Sequence, residues 1–477
     1  MENTNRHAVI FPFMAKGHVI PLLHFARLLL RRQIHVTVVT TPANRSFVAE
    51  FLGGHNNSSA AVVTIPFPQG IHRDIPPGVE STDKLPSMSL FPTFAISTKL
   101  MQPHFELALA SLRPVDFLVS DGFLGWTLDS ANKFGIPRLV FYGISCYASC
   151  VCKSVGEGKL LARALSDHDP VTLPEFPWIQ VTKQDFEPPF DDPEAKGAYF
   201  DFHLSCFIST ANSFGLIING FYELEPLFVD HLNRHALPKA WCVGPFFLAQ
   251  PNKKGDETDH YLVKPYTKPT WIEWLDRNLR EGIPVLYVAF GSQSEISSSQ
   301  LKEIAQGLHD SGVKFLWVTR SHHEPEAVLG GEFEARVKDQ GMIVREWVDQ
   351  REILVHPSVQ GFLSHCGWNS MMEAMSAGVP ILAWPMLAEQ PLNARMVSEE
   401  IKVGIRVESC DGSVKGFVRS EGLSKMVKEL MEGEKGKEVR KRAKEYGEMA
   451  RKAMEEGSGS SWRNLDLLLG EIFTAKI

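Results

Sequence analysis

Short apolar runs ending in small or polar residues alternate along this chain with amphipathic stretches of helical period, and that alternation limits the fold more than any other feature. The run His7–Phe13 passes through a loop into an apolar-periodic stretch, Ile20–Arg32, and a second run, His35–Thr40, closes at Thr41-Pro42. A strand covered on both faces reads as an unbroken apolar run, and a parallel neighbour requires a crossover helix, so this opening is a βαβ unit. Val62–Ile65, Asp116–Ser120, Arg138–Tyr142 and Leu216–Asn219 extend the pattern. Positions 66–90, rich in Pro, Gly, Ser and Asp, and 166–195, rich in Pro and acidic residues, read as surface loops.

The same grammar restarts after a turn-rich interval from Val243-Gly244-Pro245 to Pro269. Strands are expected at Val285–Phe290, Lys314–Thr319, Met342–Arg345, Gln360–Ser364 and Pro380–Ala383, with helices around 299–310, 350–355, 370–377 and 392–400. The fold class is therefore α/β, with two Rossmann-like domains facing across a cleft. Boundaries follow at 1–243, a linker 244–270, 271–460, and a final helical segment 461–477.

Length and composition fit that reading. A chain of 477 residues with 44% apolar residues can build more than one core. A net charge of −7 without a long basic run argues against a nucleic-acid partner. Seven cysteines are an odd number without framework spacing, which indicates a reducing compartment. No export signal or membrane-length apolar run is visible, so the expectation is a cytoplasmic protein without stable membrane insertion; the chain is also expected to be a monomer. The charged segment from Lys428 to Glu456 reads as a solvated helical face.

One stretch carries the chemistry: WVDQREILVHPSVQGFLSHCGWNSMMEAMSAGVPILAWPMLAEQ, residues 347 to 390. It offers an indole at Trp347, an imidazole at His365 before Gly367, Asn369 and Ser370 at a helix start, and the pair Glu389 and Gln390. Those groups suit a base, a diphosphate, a ribose and a hexose. Gly367 permits a sharp turn, and the helix that follows presents unpaired N–H groups and positive partial charge to an anion. An alternative local reading makes Ser370 and Glu373 an S-x-x-E capping box.

The stretch resembles, without a gap, the 44-position signature box of plant UDP-sugar-dependent glycosyltransferases, whose two-domain fold is called GT-B. Trp347, Gln350, His365, Gly367, Trp368, Asn369, Ser370, Glu373, Glu389 and Gln390 occupy the family's positions. Asp349 departs from it, where many members carry Pro. The resemblance implies that Trp347 stacks on uracil and backbone near Val348 holds it. Gln350 and Glu373 then meet the ribose, and the Trp368 backbone with Glu389 and Gln390 holds the sugar, a terminal Gln pointing to glucose. It also implies that the first domain binds the acceptor, the second binds UDP-sugar, and the last helix, around Ser461–Phe473, crosses back onto the first domain.

Sugar transfer to a hydroxyl needs a base, and His is the side chain that titrates near neutrality. His18 lies between a strand and the first turn of a helix, where the dipole favours neutral imidazole. Asp121 can orient that ring and offset its charge as a carboxylate does in a Ser-His-Asp triad; its bland reading is a helix cap. Both sit at the family's positions for base and partner. Ser145 in FYGISCYAS is a weaker candidate for the donor-sugar region, since many relatives carry a hydroxyl where this chain has Gly143. Ser292 joins the donor candidates, and Gly291-Ser292, Trp347 and His365 all follow strand ends, where parallel sheets bind ligands.

Asp167-His168-Asp169 spells D-x-D, but no strand precedes it and Pro170 follows. Neighbouring His365 and Cys366 point apart and cannot form a nucleophile pair. No dinucleotide fingerprint or P-loop occurs. The expected activity is inverting, metal-independent transfer of glucose from UDP-glucose, a co-substrate, with no cofactor. The acceptor is a small lipophilic hydroxyl compound, a phenolic ahead of a terpenoid alcohol, with Phe13, Phe91, Phe94, Phe123, Tyr147, Phe200 and Phe202 as wall candidates. A sugar-nucleotide epimerase on the same fold and a non-catalytic sugar-nucleotide binder are the rival readings.

Overall fold

Seven strands form one parallel sheet in the first of two units. The structure, a computed structural model, describes residues 6–53, 59–249, 268–319 and 330–474. The first unit comprises Met1–Cys150, Glu194–Gln250 and Lys452–Ile477. Its strands are β1 (His7–Phe11), β2 (His35–Thr40), β3 (Ala60–Thr64), β4 (Phe117–Asp121), β5 (Arg138–Phe141), β6 (Gly215–Ile218) and β7 (Ala240–Cys242). Their spatial order is 3-2-1-4-5-6-7. Every residue of β1 is buried. Alternation sends Ala8 and Ile10 to one face, against Leu22, Phe25 and Leu29, and Val9 and Phe11 to the other, against Phe105 and Trp126.

The last helix, Ser460–Thr474, lies in this unit. Trp462, Leu465, Leu468, Leu469 and Ile472 join the Ala8–Ile10 face of the core, and the Ser461 hydroxyl donates to the Gly244 carbonyl at 2.6 Å.

The second unit comprises Val151–Pro193 and Pro251–Arg451. Its sheet holds β8 (Val285–Ala289), β9 (Lys314–Val318), β10 (Gly341–Val344), β11 (Val359–Ser364), β12 (Ile381–Ala383) and β13 (Gly404–Arg406), in the order 10-9-8-11-12-13 and parallel throughout. Segment 151–193 groups here and not with the first unit as the boundary at 243 had it. A bidentate ion pair is among the contacts that tie it there, Arg395 Nε and Nη2 to Asp185 at 2.8 and 2.9 Å, with Asp185 fully buried. Most of the expected linker, residues 250–267, lies outside the described residues.

The helix expected from Ile20 begins at Lys16, so His18 stands in its first turn. The stretch read as a loop at 166–195 contains a small antiparallel ribbon, Val171–Thr172 with Gln180–Val181. Among the described residues no helix is long and apolar enough to cross a membrane.

In each sheet the strand order reverses at one point, between β1 and β4 and between β8 and β11. Ligands in open parallel sheets bind beyond the carboxyl ends of the strands at such reversals.

Candidate active site

At the first reversal, β1 leads to His18 and β4 ends on Asp121. His18 Nδ1 lies 2.6 Å from Asp121 Oδ2, with the carboxylate fully buried and the imidazole one-fifth exposed. Nδ1–H donating to the carboxylate makes Nε2 the ring's acceptor nitrogen, the tautomer a general base requires. Asp121 Oδ1 also accepts the Phe123 N–H at 3.0 Å, capping the short turn Gly122–Leu124.

Aromatic rings surround the imidazole. Phe123 lies 5.5 Å from it and Phe13 5.8 Å, and Phe91 and Phe202 lie 6.0 and 6.1 Å from Phe123. Phe94 is fully buried, stacked on Phe67 at 4.6 Å. Tyr147 belongs elsewhere: it is fully buried edge-on against Phe228, so it corrects the expected wall. Ser145 is likewise fully buried, and its hydroxyl accepts the Ala148 N–H at the start of the helix Cys146–Glu157. The geometry gives it a capping role in place of a sugar contact.

Sequence reading missed His203. On the helix Ala198–Ala211 its ring lies 5.8 Å from Phe123 and 4.6 Å from Tyr199, and burial pushes its pKa down to about 4. A neutral imidazole in an aromatic wall offers polarity without charge. Arg138, a charged residue opening a central strand, was also passed over, although a buried Arg always requires partners.

At the second reversal, β8 leads to Gly291 and Ser292, and β11 leads to His365. Gly291, at φ +79°, and Gly367 press on the His365 ring: a Cβ at either would stand 2.7 or 2.6 Å from Nε2. Only glycine permits that approach. Burial pushes the His365 pKa down to about 4, so it brings one N–H and no charge. The helix Trp368–Ala377 starts beyond Gly367, which has no side chain to cap the first turn, and ends at Gly378 in the left-handed region. Anion-binding polarity at Trp368, Asn369 and Ser370 therefore comes from the backbone.

Ser370 and Glu373 form no capping box. Instead Gln350 Nε2 donates to Ser370 Oγ at 2.9 Å and to Glu373 Oε2 at 2.7 Å, while the Tyr287 hydroxyl donates to Gln350 Oε1 at 3.2 Å. Tyr287, a lone hydroxyl in the apolar strand VLYVA, was not singled out from sequence. Burial pushes the Glu373 pKa up to about 7, with the Gln350 hydrogen bond pulling against it.

Trp347 and Val348 follow β10, and the Trp347 indole is 66% exposed. So large an apolar ring left in water is a ready stacking platform. Trp368 is the opposite case: its side chain is buried and only its backbone reaches the helix start. Asp349 caps the helix Gln350–Leu354, accepting the Arg351 N–H at 3.1 Å, which a Pro there could not do. Gln390 turns its oxygen inward to accept the Met386 and Leu387 N–H groups at 3.0 and 2.9 Å. Its amide can then meet a sugar only as a donor. Asn393, fully buried and unremarked in the sequence, donates to the Cys366 carbonyl at 3.0 Å and to Glu389 at 3.2 Å, joining the His365 turn to Glu389.

A histidine–carboxylate pair stands at the reversal of the first sheet, and an exposed indole, an amide–carboxylate set and an uncapped helix start stand at that of the second. The UDP-glucoronosyl and UDP-glucosyl transferase family profile matches residues 199–442, and the chain belongs to that family as a plant-type UDP-glucosyltransferase of the GT-B class. UDP-glycosyltransferase 90A1 of Arabidopsis thaliana is 54% identical over 98% of this chain and 96% of the relative. The scopoletin glucosyltransferase of Nicotiana tabacum is 37% identical over 98% of each. Among solved structures, Glycyrrhiza uralensis UGT73P12 complexed with glycyrrhetinic acid 3-O-monoglucuronide superposes with a TM-score of 0.84 at 30% identity, covering 98% of this chain and 96% of that one.

Proposed function

We propose that the enzyme transfers glucose from UDP-glucose to a hydroxyl of a small lipophilic acceptor, a phenol, with inversion at the anomeric carbon. In a single displacement the acceptor oxygen attacks that carbon as His18 Nε2 takes its proton. The bond to UDP breaks, and UDP leaves with the electron pair. Asp121 holds the ring and offsets its positive charge. The helix start at Trp368, His365 and Ser292 bear the leaving diphosphate, so no metal is required. Trp347 stacks the uracil beside Val348, Gln350 and Glu373 take the ribose, and Glu389 and Gln390 take glucose.

The observation that carries this reading is the 2.6 Å contact between His18 Nδ1 and Asp121 Oδ2 beneath an aromatic wall. Rings at that wall favour a flat acceptor, and relatives named for scopoletin, flavonoid and anthocyanin glucosylation are 37, 36 and 35% identical. The seven cysteines, none of them in a disulfide, fit a cytoplasmic enzyme. A terpenoid alcohol is the second reading, motivated by the glycyrrhetinic acid conjugate in the Glycyrrhiza complex.

The test is incubation with UDP-glucose and a panel of phenols and terpenoid alcohols, with products read by mass and by anomeric coupling in NMR. β-Glucosides of phenols are expected. α-Glucosides would overturn the inverting mechanism, products from terpenoid alcohols alone would transfer the assignment to them, and conversion of UDP-glucose with no acceptor present would favour an epimerase.

A further inference from the structure

Arg138 opens β5 and is 1% exposed. Its Nε donates to Ser120 Oγ at 2.7 Å and Thr127 Oγ1 at 3.0 Å, and Nη1 to Ser213 Oγ at 2.8 Å and the Ser209 carbonyl at 3.4 Å. Nη2 donates to the Asp121 and Leu124 carbonyls at 3.3 and 3.5 Å. All six acceptors are neutral. A buried cation is costly unless a negative charge compensates it, so the compensating group must be sought beyond hydrogen-bond range.

Four titratable groups face it: Asp121 on β4, Asp129 on the helix Thr127–Lys133, Tyr142 just after β5, and Cys206 on the helix Ala198–Ala211. Burial raises the Tyr142 phenol and pushes the Cys206 thiol up to about 12, so both are neutral near pH 7. Asp129 is exposed, where water and salt screen it. Burial brings the guanidinium down only to about 10, so it keeps its charge. Asp121, fully buried, is the group that remains. The same carboxylate holds His18.

We propose that Arg138 is a positioning residue of the His18–Asp121 pair: it fixes the 121–124 turn from behind and, through its charge, keeps the His18 imidazole neutral until the acceptor proton arrives. Two of its hydrogen bonds go to the Asp121 and Leu124 carbonyls at the ends of that turn, 3.3 and 3.5 Å away, so the guanidinium lies against the residue whose carboxylate holds the imidazole. A carboxylate shared with a permanent cation stabilises an imidazolium less than one facing His18 alone. The same guanidinium reaches Ser209 and Ser213, so it also ties the turn to the helix that carries Phe202 and His203.

The inference rests on His18 being the base, and the tests separate the two. The first compares pH profiles of kcat/KM on an aliphatic alcohol for wild type, Arg138→Lys and Arg138→Gln. Losing the charge should move the acid limb of Arg138→Gln upward by about 0.5–1 pH unit, so activity below the limb falls roughly three- to tenfold more than above it. Arg138→Lys, with a cation on a shorter fork, should lose rate with its limb unmoved. A purely structural arginine would lower activity in both variants and leave both limbs in place, which would overturn the proposal. Should Arg138→Gln not fold, NMR titration of the His18 ring in Asp121→Asn decides without turnover. Arg138 then faces His18 uncompensated, and the ring should titrate at least about one unit under the ordinary 6.5; a value at or above 6.5 overturns the proposal.

Discussion

Asp121 divides its two oxygens between two tasks: Oδ2 meets His18 Nδ1 at 2.6 Å, and Oδ1 accepts the Phe123 N–H at 3.0 Å. The capping role and the orienting role that compete in the sequence coexist in one side chain. The cap fixes the carboxylate's rotamer, and the fixed carboxylate fixes the ring. Phe123, whose N–H is capped, also lies against the imidazole at 5.5 Å, so a single turn places both partner and wall.

His18→Ala should therefore abolish transfer to aliphatic alcohols while UDP binding changes little, since the base and the proposed nucleotide groups belong to different units. Loss of a general base costs roughly 10²–10⁴-fold. Asp121→Asn keeps an oxygen for the Phe123 cap but loses the anion, so the rate should fall by at least about tenfold with the fold intact. The check is kcat/KM on an aliphatic acceptor, beside UDP affinity by calorimetry. Turnover of His18→Ala within a few-fold of wild type would sink the assignment.

Both sheets were legible because parallel strands covered on two faces are unbroken apolar runs, as in HAVIF and VLYVA. The edge strands β7 and β13 were not singled out. The candidate box was legible because side chains of types that can stack, turn or meet hydroxyls crowd one stretch. Arg138, Tyr287, His203 and Asn393 were not, because each acts through partners distant in sequence: Arg138 reaches Ser213, and Tyr287 reaches Gln350. Only the folded chain brings those pairs together. Asp185 shows the same limit at domain scale, since its partner Arg395 lies 210 positions away.

Metal independence follows from the proposed handling of diphosphate charge by a helix start and His365. Asp169, the tail of the D-x-D triplet, already accepts the Leu165 and Ser166 N–H groups at 2.9 and 3.1 Å, and those local bonds with the Ser166 hydroxyl hold its pKa below the usual range. Saturating EDTA should leave the rate unchanged. Activity lost on chelation and restored by Mg²⁺ or Mn²⁺ would return Asp167 and Asp169 to the mechanism.

Glu225 gives the enzyme a pH-dependent stability. It is 2% exposed and accepts the Tyr147 N–H at 2.6 Å, and burial pushes its pKa up to about 7 against the pull of that bond. A carboxyl raised above its unfolded value near 4.5 binds more protons folded than unfolded between those limits. Stability thus falls as pH rises from about 5 to 7.5. Glu225→Gln keeps an acceptor for the N–H and does not titrate. Relative to wild type it should gain about 1–3 kcal/mol between pH 5 and pH 8. Urea unfolding of both proteins across that range measures the gap, and a gap that does not change with pH would contradict the raised carboxyl.

Gln390 supplies the sharpest test of donor choice. Because its oxygen is committed to the Met386 and Leu387 N–H groups, only its NH₂ can reach the sugar. Gln390→Glu retains both inward bonds and so retains the loop, but replaces the donor with an anion. Gln390→His removes the inward acceptor as well. A lost buried hydrogen bond costs about 1–3 kcal/mol, or roughly 5- to 150-fold. Both variants should lose that factor in kcat/KM with UDP-glucose while UDP affinity changes far less, and Gln390→Glu should fold as stably as wild type. Gain of galactose transfer is not required, since one side chain rarely completes a new hydroxyl network. The measurement is kcat/KM with UDP-glucose and UDP-galactose on one acceptor for all three proteins. If the ratio of the two donors is the same in all three, Gln390 does not read the sugar, and the glucose preference must come from Glu389 or from backbone groups at Trp368.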